Sequence, residues 1–90
     1  MRVSPAVAMA PAFLTVQVSV EAHADNRLLE VVAQSEDFYR SSQIQIDGQN
    51  GPRVNVFQFR NLPSGFYRVT GVLVGSQGPR ATAIGTAKVA

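Results

Sequence analysis

Apolar and polar residues alternate with a period of two along most of this chain, and helical spacing is nearly absent. The clearest run is Leu14 to Glu21. Leu14, Val16, Val18 and Val20 share one face, and Thr15, Gln17, Ser19 and Glu21 share the other, as a half-buried antiparallel strand requires. Leu28 to Gln34 repeats the pattern with Leu29, Val31 and Ala33. Arg53 to Arg60 brings Phe57 and Phe59 together, and Phe66 to Val74 groups Tyr67, Val69, Gly71 and Leu73. Arg80 to Val89 forms the last strand, with Ala83, Gly85 and Ala87 as small inward residues. A weaker strand is expected over Ser41 to Asp47, carrying Ile44 and Ile46. Val3 to Ala10, hemmed by Pro5 and Pro11, is expected to pair only at an edge.

Turn chemistry separates these runs. His23-Ala24-Asp25-Asn26 reads as a turn because Asp and Asn bond their own backbone. Ser35-Glu36-Asp37 breaks the next strand. Asp47 to Pro52 contains two glycines and a proline within one short loop, and Gly75 to Pro79 has the same composition. Seven short strands joined by brief links describe an all-β fold, a sandwich of two packed antiparallel sheets. Residues 1–90 are therefore expected to form a single domain, with no repeat and no second unit.

Composition narrows the function. The 90 residues include no cysteine, so neither a disulfide nor a thiolate metal site is available and packing alone must hold the core. The net charge of +2 is too small to imply nucleic acid. It is unevenly spread: residues 1–47 hold all six acids and three arginines, and residues 48–90 hold Arg53, Arg60, Arg68, Arg80 and Lys88 with no acid. If the second strand pairs with the fifth and the third with the sixth, Glu21 and Arg60 face outward on one sheet and Glu30 and Arg68 on the other. The imbalance is then expected to cancel in space. No stretch approaches the roughly 18 apolar residues of a membrane helix, so no membrane insertion is expected. Pro5 and Pro11 interrupt the Ala/Val-rich start, which reads as an edge strand or linker and not as a signal peptide.

The segment Asn61-Leu62-Pro63-Ser64-Gly65-Phe66-Tyr67-Arg68-Val69 resembles the N-L-P-x-G-x-Y-x-V signature of bacterial immunoglobulin-like, fibronectin type III-like and carboxypeptidase-regulatory-like modules. Gly65 suits a tight turn between sheets, and Leu62 is placed to plug the core. Tyr67 is placed to bury its ring while its hydroxyl reaches back to a backbone group, the tyrosine-corner arrangement. The resemblance implies an immunoglobulin-like β-sandwich. The chain departs from antibody-type domains in lacking a cysteine pair and any tryptophan. Such modules serve as spacers, adhesion or assembly units, or accessory domains of secreted enzymes, which implies an extracellular or cell-surface location.

No constellation for catalysis or cofactor binding stands out. His23 is the single histidine, in a polar turn without a nucleophile at useful spacing. Calcium needs several carboxylates, whereas Asp47 has only Gln49 and Asn50 beside it, with Asp25-Asn26 in another loop. Glu36 and Asp37 are adjacent in a turn and do not suggest a glycosidase pair. No cofactor and no metal is implied, and the chain reads as non-enzymatic.

The outward apolar residues point elsewhere. Val32, Val72, Val74 and Ile84 are expected on the outside of one sheet, as a stripe suited to another protein domain or subunit. The terminal strands, the last of which has no charge from Ala81 to Ala87, suggest a self-assembling subunit built by edge pairing, and hence a homo-oligomer. Tyr39 and Phe66 are the only candidates for a carbohydrate-binding surface, and they lie far apart in sequence. The principal expectation is an interaction or spacer module of a larger secreted or surface protein or assembly.

Overall fold

The computed structural model describes residues 1–90. It contains eight strands: β1 (Arg2–Ser4), β2 (Val7–Ala8), β3 (Ala12–Ser19), β4 (Leu28–Gln34), β5 (Tyr39–Gln45), β6 (Val54–Leu62), β7 (Gly65–Gly75) and β8 (Gly78–Val89). A single 3-10 turn, Gly48–Asn50, is the only helical piece. The fold is an all-β sandwich. One sheet has the order β1-β3-β6 and the other β2-β8-β7-β4-β5. The expected pairings form, β3 with β6 and β4 with β7, both antiparallel.

Alternation decides which face is buried. Leu14, Val16 and Val18 of β3 meet Phe57 and Phe59 of β6, Leu29, Val31 and Ala33 of β4, and Tyr67 and Val69 of β7 in one apolar cluster. Part of the inner face of β7 and β8 is cut back to Gly71, Ala83 and Gly85, and the first strand explains why. A methyl group on Gly71 would lie 3.1 Å from Met1 Sδ, and one on Gly85 would lie 3.0 Å from Val3 Cγ2. The small residues leave room for the first strand to lie against the opposite sheet.

Three expectations are corrected. The first segment is two strands in different sheets: β1 pairs with β3, and β2 pairs with the end of β8 as the one parallel pair of the molecule. Pro5 supplies no N–H at the crossing. The last strand is therefore not a bare edge along its whole length, because β2 occupies Lys88 and Val89. The weak strand runs Tyr39–Gln45, not Ser41–Asp47. A four-residue turn, closed by the Ser35 N–H donating to the Phe38 carbonyl at 2.8 Å, starts it early. Ile46 ends it by turning into the core.

The chain crosses between sheets at Asn61–Gly65. Leu62 is fully buried, and Tyr67 buries its ring edge-to-face with Phe38 at 6.4 Å. The Tyr67 hydroxyl donates to the Pro63 carbonyl at 2.7 Å. The left-handed residue of this corner is Asn61 (φ 57), a residue type that tolerates that conformation. Gly65 follows at φ 156, which side-chain-bearing residues rarely adopt, and a Cβ there would also sit 3.1 Å from Ser35 Cβ.

The corner makes a stability prediction. Tyr67→Phe keeps the ring and removes one hydrogen bond, so it should lower unfolding free energy by about 1 kcal/mol. Tyr39→Phe, at an exposed position without such a bond, should change it by less than about 0.5 kcal/mol. Urea titrations of the two variants against the parent check this; equal midpoints would remove the corner's energetic role.

Candidate interaction surfaces

The outer face of the five-stranded sheet collects the predicted stripe. The register sets Val32 opposite Thr70 and Glu30 opposite Val72, and Leu28 opposite Val74, across β4 and β7. Thr70 then pairs with Ile84 and Val72 with Thr82 across β7 and β8. Val72 is thus the centre, diagonal to both Val32 and Ile84 and two residues from Val74 on its own strand. Val32, Val72 and Val74 are half-buried by their neighbours, whereas Ile84 is 66% exposed. A register shift in the β7/β8 pairing lies at Leu73/Val74, so Ile84 keeps its outward direction.

Two residues absent from the expected stripe extend this face. Phe66 pairs with Lys88, and Lys88 with Val7, so all three point outward at the other end of the sheet. Phe66 is 75% exposed, with the Lys88 ammonium 5.4 Å from its ring centroid. Periodicity from Tyr67 already gave the direction of Phe66. The place of Val7 depended on β2 joining this sheet. Tyr39 also lies on this face, on the row of Gln34 and Arg68.

Charges pair differently from the expectation. Glu21 lies past the end of β3, while Arg60 stands at the far end of the β3/β6 ladder with its guanidinium 5.5 Å from the Phe13 ring. Glu30 faces Val72, and Arg68 faces Gln34. Neither proposed pair forms. The ion pairs of the molecule instead gather on Asp25, with Arg27 at 3.6 Å and Arg80 at 3.7 Å. Asp25 thus links an acid of the first half to an arginine of the second, through loops and not strands.

This cluster closes one end of the sandwich. The Ser76 N–H donates to the Asp25 carboxylate at 3.2 Å. A methyl group on Gly75 would overlap that carboxylate and the Arg80 stem, so a side chain there would displace both. His23 Nδ1 accepts from the Asp25 N–H at 3.0 Å and from Arg80 at 2.8 Å, which places the ring proton on Nε2. Asn26 is the hub beneath them. Its N–H donates to the His23 carbonyl, its Nδ2 to the Glu21 carbonyl at 2.8 Å, and its carbonyl accepts from Gly48. Its Oδ1 is buried without a partner. The loop of Asp25 and the loop of Asp47 do share this end, but the Asp25 carboxylate is turned to Ser76 and the arginines. Beside the cluster a cleft of about 310 Å³ opens between the sheets, with Val20, Leu73 and Ala83 on its walls and His23 and Arg80 among its polar residues. No group of three or more metal-ligating side chains forms, and no helix is long and apolar enough to cross a membrane.

No family model matches this chain, and comparison with curated proteins and with solved structures finds no similar one.

The Asp25 cluster predicts a pH dependence. Hydrogen bonds from the Ser76 side chain and backbone hold the Asp25 carboxyl below its ordinary value of 3.8, with Arg27 and Arg80 adding to this and desolvation opposing it. A depressed folded-state value means stabilisation that is present above the unfolded value and lost as pH falls through the folded one. Asp25→Asn should therefore lower the urea midpoint at about pH 7, and the gap from the parent should close toward about pH 2. A gap independent of pH would assign the effect to shape and not to charge.

Proposed function

We propose that this chain is a non-enzymatic, immunoglobulin-like or fibronectin type III-like interaction or spacer module of a larger secreted or surface protein or assembly. It docks the outer face of its five-stranded sheet on another protein domain or subunit. The observation that carries this reading is the grouping of apolar side chains on that face. Val32, Val74 and Ile84 surround Val72, and exposed Phe66 and Val7 lie on the same face beyond the row of Arg68 and Thr86. Contiguous exposed apolar surface of this kind is characteristic of interfaces. The β3/β6 and β4/β7 pairings and the Tyr67 corner support the module class, and the class supports an extracellular or cell-surface setting.

A second reading has its own observation. Tyr39 and Phe66, distant in sequence, project from the same face with Gln34 and Arg68 between them. Two strand spacings and two residue steps separate them by roughly 12 Å, a span open to a sugar chain. Binding to an oligosaccharide panel, abolished by Tyr39→Ala and by Phe66→Ala, supports a carbohydrate-binding accessory domain. Unaltered binding in both variants, or no binding by the parent, rules it out.

Val72→Lys tests the principal reading, because it places a charge at the centre of the face without entering the core. The expected result is a folded variant whose association with its neighbouring domain or subunit is at least roughly tenfold weaker, about 1.4 kcal/mol. A photo-crosslinking side chain at position 72 should capture one discrete protein where the same group at Gln49 captures none. Equal association, with no selective capture, would defeat the reading.

A further inference from the structure

We propose that the free edge of β5 is a pairing site for a second copy of this chain, joining two five-stranded sheets into one continuous sheet about a two-fold axis. The site is separate from the outer face just described, since it acts through backbone groups at the sheet edge.

The direction of those groups follows from two hydrogen bonds. The Ile46 N–H donates to the Arg27 carbonyl at 2.8 Å, and the Phe38 carbonyl accepts from Ser35. Both bonds continue the β4/β5 register. Even-numbered residues of β5 therefore turn their backbone toward β4. In an antiparallel ladder the alternate residues turn theirs away, so Tyr39, Ser41, Gln43 and Gln45 present N–H and C=O groups to open solvent.

Little blunts this edge, whose one charge, Arg40, stands near its start. All seven residues of β5 are exposed, on both faces, although their neighbours Leu29, Val31 and Ala33 on β4 are buried. The strand has no proline, its pairing with β4 shows no bulge, and no residue from Ser41 to Ile46 carries a charge. Natural edges are ordinarily guarded by such devices. The other free edges carry more of them: β6 brings Arg60 to its open row, β1 is three residues long, and β8 has Pro79 and Arg80 at its start and is occupied by β2 at Lys88 and Val89.

A second copy fits because the strand is complementary to itself. Residues directly opposite across a two-fold must lie on the same face, so the pairing must match odd with odd positions. The register centred on Ser42 uses the full strand. Tyr39 then faces Gln45, Arg40 faces Ile44, Ser41 faces Gln43, and Ser42 faces its own counterpart. No like charges meet within the ladder, and the four outward residues of each copy close about eight N–H···O bonds. Ser42 falls at a non-hydrogen-bonded pair, where Cα atoms approach to about 4.5 Å, within the range that a disulfide spans.

That contact makes the test, because the chain has no cysteine of its own. Under mild oxidation Ser42→Cys should form disulfide-linked dimers at least about tenfold faster than Gln49→Cys in the exposed turn. Light scattering over a wide concentration range should show the parent dimerising. Ser42→Lys should remain monomeric with an unchanged urea midpoint, and Val72→Lys should still dimerise. Several results would overturn the proposal: a parent that is monomeric throughout, equal crosslinking rates, or a dimer that survives Ser42→Lys. A dimer abolished by Val56→Lys on β6 but not by Ser42→Lys would overturn it too.

Discussion

Three strands at a spacing of about 4.8 Å span roughly half the width of five, and this mismatch between the two sheets governs the rest of the molecule. Some of the inner face of the wider sheet must go without a partner. The chain meets this differently on its two sides. Toward β8 the inner residues shrink to Gly71, Ala83 and Gly85, and Met1 and Val3 lie in the space they leave. Toward β5 no element covers the sheet, and the inward positions Arg40, Ser42 and Ile44 accept exposure. The first solution lengthens the core. The second leaves a strand bare on both faces.

A core of this breadth has no covalent support, and it is closed at both ends by polar contacts. At one end the Tyr67 hydroxyl ties β7 to the Pro63 carbonyl where the chain crosses sheets. At the other, Asn26 joins three backbone segments while Asp25 binds Ser76 and two arginines. The buried bonds of Asn26 stay out of bulk water, whereas the exposed ion pairs of Asp25 are screened and individually weak. Geometry matters here as well as charge: a side chain at Gly75 would meet the carboxylate where it reaches its partners.

The strand interiors were legible because alternation reports directly which side chains lose water. Leu28 to Gln34 has the same bounds in sequence and in structure, and the outward directions of Val32, Val72 and Val74 follow from the inward ones of Val31, Gly71 and Leu73. Legibility failed where pairing depends on a distant partner. The split of the first strand at Pro5 follows from β1 and β2 finding different sheets. The break at Ser35-Glu36-Asp37 was legible, but the start of β5 at Tyr39 follows from the turn closing at Phe38, across to Ser35. The pairing of Glu21 with Arg60 assumed strands in register along their full length, but the two residues stand at opposite ends of one ladder.

By itself, then, the sequence determined the all-β class, the core faces of the longer strands and the corner around Tyr67, because each rests on spacing within a few residues. Only the tertiary structure decided which strands are edges, which outward residues become neighbours, and where the charges meet. Tyr39 and Phe66 share a face, Asp25 reaches Arg80, and β5 lies beyond the cover of the smaller sheet through relations between segments far apart in the chain. Those relations are set by how two sheets of unequal width pack, a quantity that no local pattern contains.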